Sequence, residues 1–277
     1  KFLIFINDIC NCSELFKTLF ADDISTLTVS NNLNDLMTKA QNDLNNLSNW
    51  YRANQLSLHP SKSYFMIFST NRNIYSHLPK TSDNLPYLPL FFNNNEPGET
   101  DITKISLVKM IPDGKDKSIR MLGVLLDNNL NLSEHCKFLH GKISRSLFSL
   151  NQVKGILNKE CMKLVFNAHV QSHLEYCSNI LSMASEQYLK PLKVVQKKAL
   201  RIVCGKKYNE HTQPLFKKEK ILPLAQLIEF NMIKFMADYK LGRLPNAFSG
   251  SWIENNQRPA HRYNLRNAHE FNIPFVR

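Results

Sequence analysis

Two β-prone runs, Phe16 to Phe20 and Ile24 to Val29, stand on either side of Ala21-Asp22-Asp23. This reads as a β-hairpin with acidic residues at its tip, and any fold of the chain has to accommodate it. The next segment is helical in pattern. Asn32 can cap a helix, with Asp35 favouring the positive end of its dipole. Leu33, Leu36, Met37, Ala40, Leu44, Leu47 and Trp50 then recur at helical spacing, an apolar stripe that needs a partner surface. The helix is expected to end near Leu58, because Pro60 cannot continue it. Tyr64 to Phe68 reads as a further strand, and Lys1 to Ile9 as the end of a buried helix.

From Asn71 to Lys117 the composition shifts towards Asn, Pro and Lys, with only Leu88 to Phe92 and Ile105 to Met110 strand-like. This stretch reads as a loosely ordered insertion with hairpin elements. Ile119 to Leu126 reads as a strand containing Gly123, followed by a turn at Asp127-Asn128-Asn129. Beyond it the pattern is helical. Ser133 is expected to cap a helix carrying Ile143, Leu147, Leu150 and Val153, and Asn158 a second through Leu164, Val165 and Ala168. A third carries Leu192, Val195, Ala199 and Val203 and stops at Gly205. Pro223 suits the first turn of a fourth, with Leu224, Leu227, Ile228, Phe235 and Tyr239, ending at Gly242 and Pro245. Strands come first and helices follow. The pattern predicts an α+β fold: a mixed region over 1–132 (with the insertion at about 71–117), an all-α region over 133–246, and a polar, basic tail over 247–277.

With 277 residues and 43% hydrophobic content, the chain can bury a sizeable core. Its 35 Lys and Arg against 23 Asp and Glu leave a formal charge of +12, which suits a polyanionic partner, nucleic acid above all, but also a merely basic protein. No apolar run approaches membrane-spanning length, and no signal peptide is read. Cys10, Cys12, Cys136, Cys161, Cys177 and Cys204 are scattered, which reduced, mostly buried thiols of an intracellular protein explain most simply. A chain that opens at Lys1 in the middle of an apolar stretch reads as a cut piece.

Adjacent carboxylates on a stiff hairpin suit Mg²⁺, which prefers hard oxygen ligands and takes one or two carboxylates plus substrate phosphates. Asp is also an ordinary turn residue, and on the dipeptide alone that role is favoured for Asp22 and Asp23. Their surroundings reverse that. FLIFINDIC, LFADDISTL, LSNWYRANQLSLHPSKSYFMIF and IRMLGVLLDNNLNLSEHC resemble, in order and spacing, the later palm of reverse transcriptases of non-LTR (LINE-type, jockey-like) retrotransposons. SHLEYCSNIL, LKVVQKKALRIVCG and the Leu-Pro-Leu of ILPLAQL resemble the region that follows that palm. The resemblance covers nearly the whole chain and is weakest over Asn71 to Lys117 and after Ala247.

The resemblance implies a partial polymerase palm followed by a thumb-like helical domain, with RNA template, DNA primer and deoxynucleotides as partners and Mg²⁺ as cofactor. Asp22 matches the metal-binding carboxylate of the acidic turn, with Asp23 beside it; Phe20 stands where many relatives have Tyr. Lys62 matches the lysine of the following palm motif, a proton donor to departing pyrophosphate or else a solvated loop lysine, and His59 stands where relatives have Asn. Met121-Leu122-Gly123 resembles the hairpin that grips the primer end, with Met in place of Phe. Gly123 would let the backbone approach a nucleic-acid strand, or sit in a β-bulge. A further essential aspartate and a Gly-rich nucleotide-holding segment belong upstream in the family, so this chain alone is expected to bind Mg²⁺ weakly and polymerise nothing.

The stretch from Lys190 to Lys220 has ten Lys and Arg against Glu210 and Glu219. Lys190, Lys193, Lys197 and Arg201 form one stripe opposite the third helix's apolar face, with Lys198 alongside and Lys206 and Lys207 extending it. Two readings fit: phosphate contacts along a template–primer duplex, or a solvated face. Tyr208 and His211 could stack on bases or pack. His135, Cys136, His140, Cys161, His169, His173 and Cys177 raise structural zinc against ordinary packing and surface histidines. Besides a polymerase portion, the sequence admits a non-catalytic nucleic-acid-binding protein derived from a decayed retroelement, or a relic without a stable fold.

Overall fold

The computed structural model describes residues 4, 6–13, 15–56, 59, 62–69, 78, 89–93, 105–111 and 116–252. The expected helix end at Leu58, most of the 71–117 insertion and the tail from 253 lie outside the described residues. The fold is mixed α+β, and the chain divides into two compact units, Lys1–Phe138 and Leu139–Arg277. The division falls inside a helix rather than at the expected boundary before it.

The first unit is organised by one helix, α1 (Leu33–Ala53). Asn32 caps it, its side chain accepting from the Asn34 amide at 2.8 Å. The apolar stripe finds its partners in two places. Near the helix C-terminus, Leu47, Trp50 and Tyr51 pack with Ile6, Ile9 and the hairpin residues Leu19 and Ile24. Near its N-terminus, Leu33, Leu36, Met37, Ala40 and Leu44 pack on Ile67, Leu90, Val108 and Met110. The hairpin itself is β1 (Phe16–Phe20) and β2 (Asp23–Leu27), antiparallel with Leu19 opposite Ile24. Because side chains alternate across a strand, that inward pair leaves Phe16, Phe20 and Leu27 on exposed positions.

Two expectations change here, and a third, the helix end read over Lys1 to Ile9, falls partly outside the described residues: Ile4 is helical, and Asn7–Cys12 is a short 3-10 helix with Ile9 buried. Helix α1 stops at Ala53, short of Leu58. Gln55 takes φ 55°, and the Gln55 and Leu56 amides donate back to the Arg52 and Tyr51 carbonyls, so a left-handed cap ends the helix before Pro60 can act. Ile119 to Leu126 is not one strand but a hairpin, β7 (Ser118–Met121) and β8 (Val124–Asp127), turning at Leu122 (φ 45°) and Gly123 (φ 87°). Two left-handed residues in a two-residue turn match the right-handed twist of the flanking strands, and this is what Gly123 serves.

Between these hairpins lie β3 (Tyr64–Met66), β4 (Phe91–Asn93), β5 (Ile105–Leu107) and β6 (Lys109–Ile111). Strands β4 and β5 pair antiparallel, while β3 and β6 pair in parallel. After β8 the chain turns through a side-chain relay. Asp127 accepts from the Asn131 amide at 3.0 Å, and Asn131 accepts from the Ser133 amide at 2.9 Å. Ser133, expected as the cap of α2 (Ser133–Val153), is therefore served by Asn131 instead.

The second unit is helical. Helix α3 (Lys159–Phe166) starts as expected at Asn158, which accepts from the Cys161 amide at 2.9 Å. It runs into a π-helical turn, Asn167–Gln171, and then α4 (Ser172–Glu175). The wider turn puts the neighbouring residues Val170 and Gln171 both inside. Helix α5 (Glu186–Val203) buries Leu189, Leu192, Val195, Ala199, Leu200 and Val203 and ends in a left-handed cap at Gly205. Helix α6 (Gln213–Glu219), not foreseen, ends at Lys220 with φ 55°. Helix α7 (Leu224–Lys240) follows Pro223 and ends at Gly242.

A buried polar knot sits in this apolar interior. Gln196, 1% exposed, donates to the Leu222 carbonyl at 3.1 Å and to Gln171 at 3.3 Å, and accepts from the Leu224 amide at 2.9 Å. It thus ties α5 to the start of α7 and to the π turn. Residues beyond 246, read as a polar, basic tail, fold back as far as Trp252. Phe248 and Trp252 pack edge-on against Phe235, and the Tyr239 hydroxyl donates to the Trp252 carbonyl at 2.9 Å. No helix among the described residues is long and apolar enough to cross a membrane.

Candidate functional site

The acidic turn is mounted by the packing just described. Leu19 and Ile24 fix the hairpin to α1. At its root, the Lys17 ammonium donates to the Ser13 carbonyl at 2.5 Å and the Leu15 carbonyl at 3.2 Å, while the Ser13 hydroxyl donates to buried Asp43 of α1. The tip is a two-residue turn, Ala21-Asp22, and the register pairs Phe20 with Asp23. Ala21 takes φ 53°, a conformation that an L-residue adopts only at some cost. Asp22 is therefore a turn residue and Asp23 the first residue of β2, and both are exposed. Two adjacent hard-oxygen donors open to solvent fit Mg²⁺, which takes one or two carboxylates and leaves its remaining positions to water or phosphate.

The other positions singled out by sequence are placed separately. Lys62 is exposed, its amide donating to the His59 carbonyl at 3.1 Å, and it makes no ion pair with Asp22 or Asp23 among the described residues. Met121, Leu122 and Gly123 come together at the tip of the β7–β8 hairpin. Beside it, the Arg120 guanidinium lies 5.8 Å from the centre of the Phe138 ring, and buried His135 accepts at Nδ1 from the Leu125 amide at 3.4 Å. Burial lowers the His135 imidazole below its ordinary value, so it is neutral in the folded unit.

The basic stripe falls where expected on α5, but its members are not equivalent. Lys193 pairs with Glu186 at 2.6 Å, and Lys206 with Glu210 at 2.8 Å. Arg201 donates through Nε to the Glu210 carbonyl at 2.8 Å. Those three cations are engaged within the unit, and the Glu210 contact raises the Lys206 ammonium above its ordinary value. Lys190, Lys197, Lys198 and Lys207 are exposed and have no ion pair among the described residues. Sequence reading missed the two acidic partners for different reasons. Glu210 lies at helical spacing from Lys206 and was findable; Glu186 lies two turns before Lys193, outside the basic stretch.

In the same unit, buried Glu219 pairs with Lys159 at 2.6 Å, which holds its carboxyl below the usual range. His169 falls in the π turn and His173 in α4, rather than on one regular α-helix. Burial, aided by Lys142 and His169, lowers His173. Among the described residues no group of three or more His, Cys, Asp and Glu side chains is placed to hold a metal ion, and all six cysteines are unpaired. Comparison with protein-family models, with curated proteins and with solved structures returned no match to this chain.

Proposed function

We propose that the chain is the later-palm and thumb portion of an RNA-directed DNA polymerase of the non-LTR retrotransposon type. The observation that carries this reading is the exposed Asp22-Asp23 pair on a hairpin held rigidly against α1. Carboxylates that must meet a substrate need such a mount, fixed from behind and open in front. A second observation supports it: Phe16, Phe20 and Leu27 leave one face of the hairpin bare, as suits one element of a larger sheet.

In the intact protein a DNA 3′ end would be extended on an RNA template using deoxynucleotides. Asp22 and Asp23 would hold Mg²⁺, which when bound supplies charge neutralisation for nucleotidyl transfer. Lys62 would donate a proton to departing pyrophosphate. The turn at Met121, Leu122 and Gly123 would present its backbone to the primer end, and Lys190, Lys197, Lys198 and Lys207 would hold duplex phosphates. This chain alone is expected to polymerise nothing, because two carboxylates of one turn do not make a complete two-ion site.

Three measurements test the reading. Primer extension on an RNA template with Mg²⁺ should give no product from this chain; robust synthesis overturns its incompleteness. Manganese(II), followed by electron paramagnetic resonance, should bind weakly, and more weakly after Asp22→Ala and Asp23→Ala; identical binding removes the acidic-turn assignment. Duplex affinity should fall steeply with salt. It should also fall with Lys190, Lys197 and Lys198 changed to Glu. A second reading, a non-catalytic nucleic-acid-binding protein, is favoured by the unpaired lysines of α5 if duplex binding persists while the manganese response is absent.

A further inference from the structure

The loop after α5 settles an alternative that sequence leaves open for Tyr208. Among the described residues Tyr208, at 87% exposure, packs on nothing and is the most exposed large hydrophobic side chain. A free aromatic ring is costly to display, since burying it would remove a large apolar area from water. Yet the loop that carries it is not loose. Gly205 at φ 62° turns the chain, with the Lys206 amide donating to the Arg201 carbonyl at 2.9 Å. On the far side, Glu210 is held three ways: its carbonyl by Arg201 at 2.8 Å, its carboxylate by Lys206 at 2.8 Å, and its amide by the Lys207 carbonyl at 3.2 Å. Tyr208 therefore stands between two pinned ends, beside exposed Lys207, on a loop continuous with the helix that carries Lys197 and Lys198.

We infer that Tyr208 is a stacking platform for an unpaired base, with Lys207 on the adjoining phosphate, so that the end of α5 binds single-stranded nucleic acid. The chemistry is specific to that partner. A tyrosine ring offers a face to any base, whereas the bases of a duplex are already stacked and hide theirs. A ring carried on a held backbone loses less freedom on binding than one on a loose loop. The ammonium groups supply the sequence-independent phosphate attraction. The inference rests on the nucleic-acid part of the proposed function but adds to it a contact that a duplex does not need.

The test measures binding of a short fluorescein-labelled oligothymidylate, and of a labelled duplex, by fluorescence anisotropy with the whole chain. Tyr208→Ala should weaken oligothymidylate binding about 5- to 150-fold, the range for losing one base–aromatic stack. Tyr208→Phe should keep it, and duplex affinity should be the same in all three proteins. Unchanged oligothymidylate binding by Tyr208→Ala overturns the inference while leaving the duplex reading intact. Equal weakening of both ligands overturns it too, because the ring would then not distinguish an unpaired base. If the unaltered chain binds neither ligand, the inference and the nucleic-acid reading fall together.

Discussion

The two units are built on opposite plans. In the first, one helix serves several short ribbons, and the buried residues around α1 form separate small groups, finished by half-exposed neighbours such as Leu19, Ile24 and Trp50. In the second, helices cover one another and many side chains are wholly enclosed, among them Phe166, Leu174, Leu192 and Leu200. Two-stranded ribbons are marginal by themselves and lean on a helix, while packed helices share one interior. The first plan leaves surfaces uncovered and hairpin tips free. The second tolerates a buried amide knot because every member is satisfied.

Gln196→Ala should cost the second unit about 4 kcal/mol, combining a cavity with an orphaned Leu224 amide and Leu222 carbonyl, as read by thermal unfolding. A cost of about 2 kcal/mol or less would mean that the helical interior is at least as yielding as the first unit. Leu47→Ala should cost the first unit about 2–3 kcal/mol, at the low end for a leucine because its half-exposed neighbours can close in. A cost equal to that of Gln196→Ala would erase the contrast between the plans.

Acid separates the units further. His135 is kept neutral, below its ordinary 6.5, so the unfolded chain takes up the proton first and the first unit loses stability as pH falls below about 6.5. Glu219 is held below its ordinary 4.5 by Lys159, so its contribution is complete above that value and is lost only as pH falls through the lower folded one. His173 of the second unit is also lowered by burial, so both units should begin to weaken as pH falls below about 6.5, and only the second should show the later Glu219 loss. His135→Phe should remove the early loss from the first unit, and Glu219→Gln the late loss from the second; a late loss of equal size in both units would break the distinction. Smallest of all, Leu122→Asn should stabilise the β7–β8 hairpin by about 0.5 kcal/mol, since Asn accepts a left-handed conformation more readily before Gly. A loss of stability would show that the leucine side chain matters more than its backbone.

What the sequence conveyed, it conveyed through periodicity and punctuation. Every residue of the α1 stripe packs as read, and the helix ends at Gly205 and Gly242 fall where glycine marks them. The ends at Gln55 and Lys220 adopt the same left-handed cap without glycine, and there the reading overran α1 and missed α6. Pairing of β3 with β6 joins a strand before the composition-biased stretch to one near its end, so no local signal announces it. Gly123 was visible but ambiguous, because a strand, a bulge and a tight turn all admit glycine. At the candidate sites the acidic turn was legible as a short motif. The unequal availability of the α5 cations was not, because it depends on where Glu186 and Glu210 end up.

The fold-back at the end of the described chain has a practical consequence. Trp252 is held in a ring cluster, with Tyr239 at 4.9 Å and Phe248 at 6.5 Å, while the chain's other tryptophan, Trp50, lies edge-on to Tyr51 at 5.5 Å in the first unit. Each unit thus has its own intrinsic fluorophore. Trp50→Phe and Trp252→Phe would make each emission spectrum a separate record of one unit, so that binding, acidification or heating could be watched in the ribbons and in the helices independently.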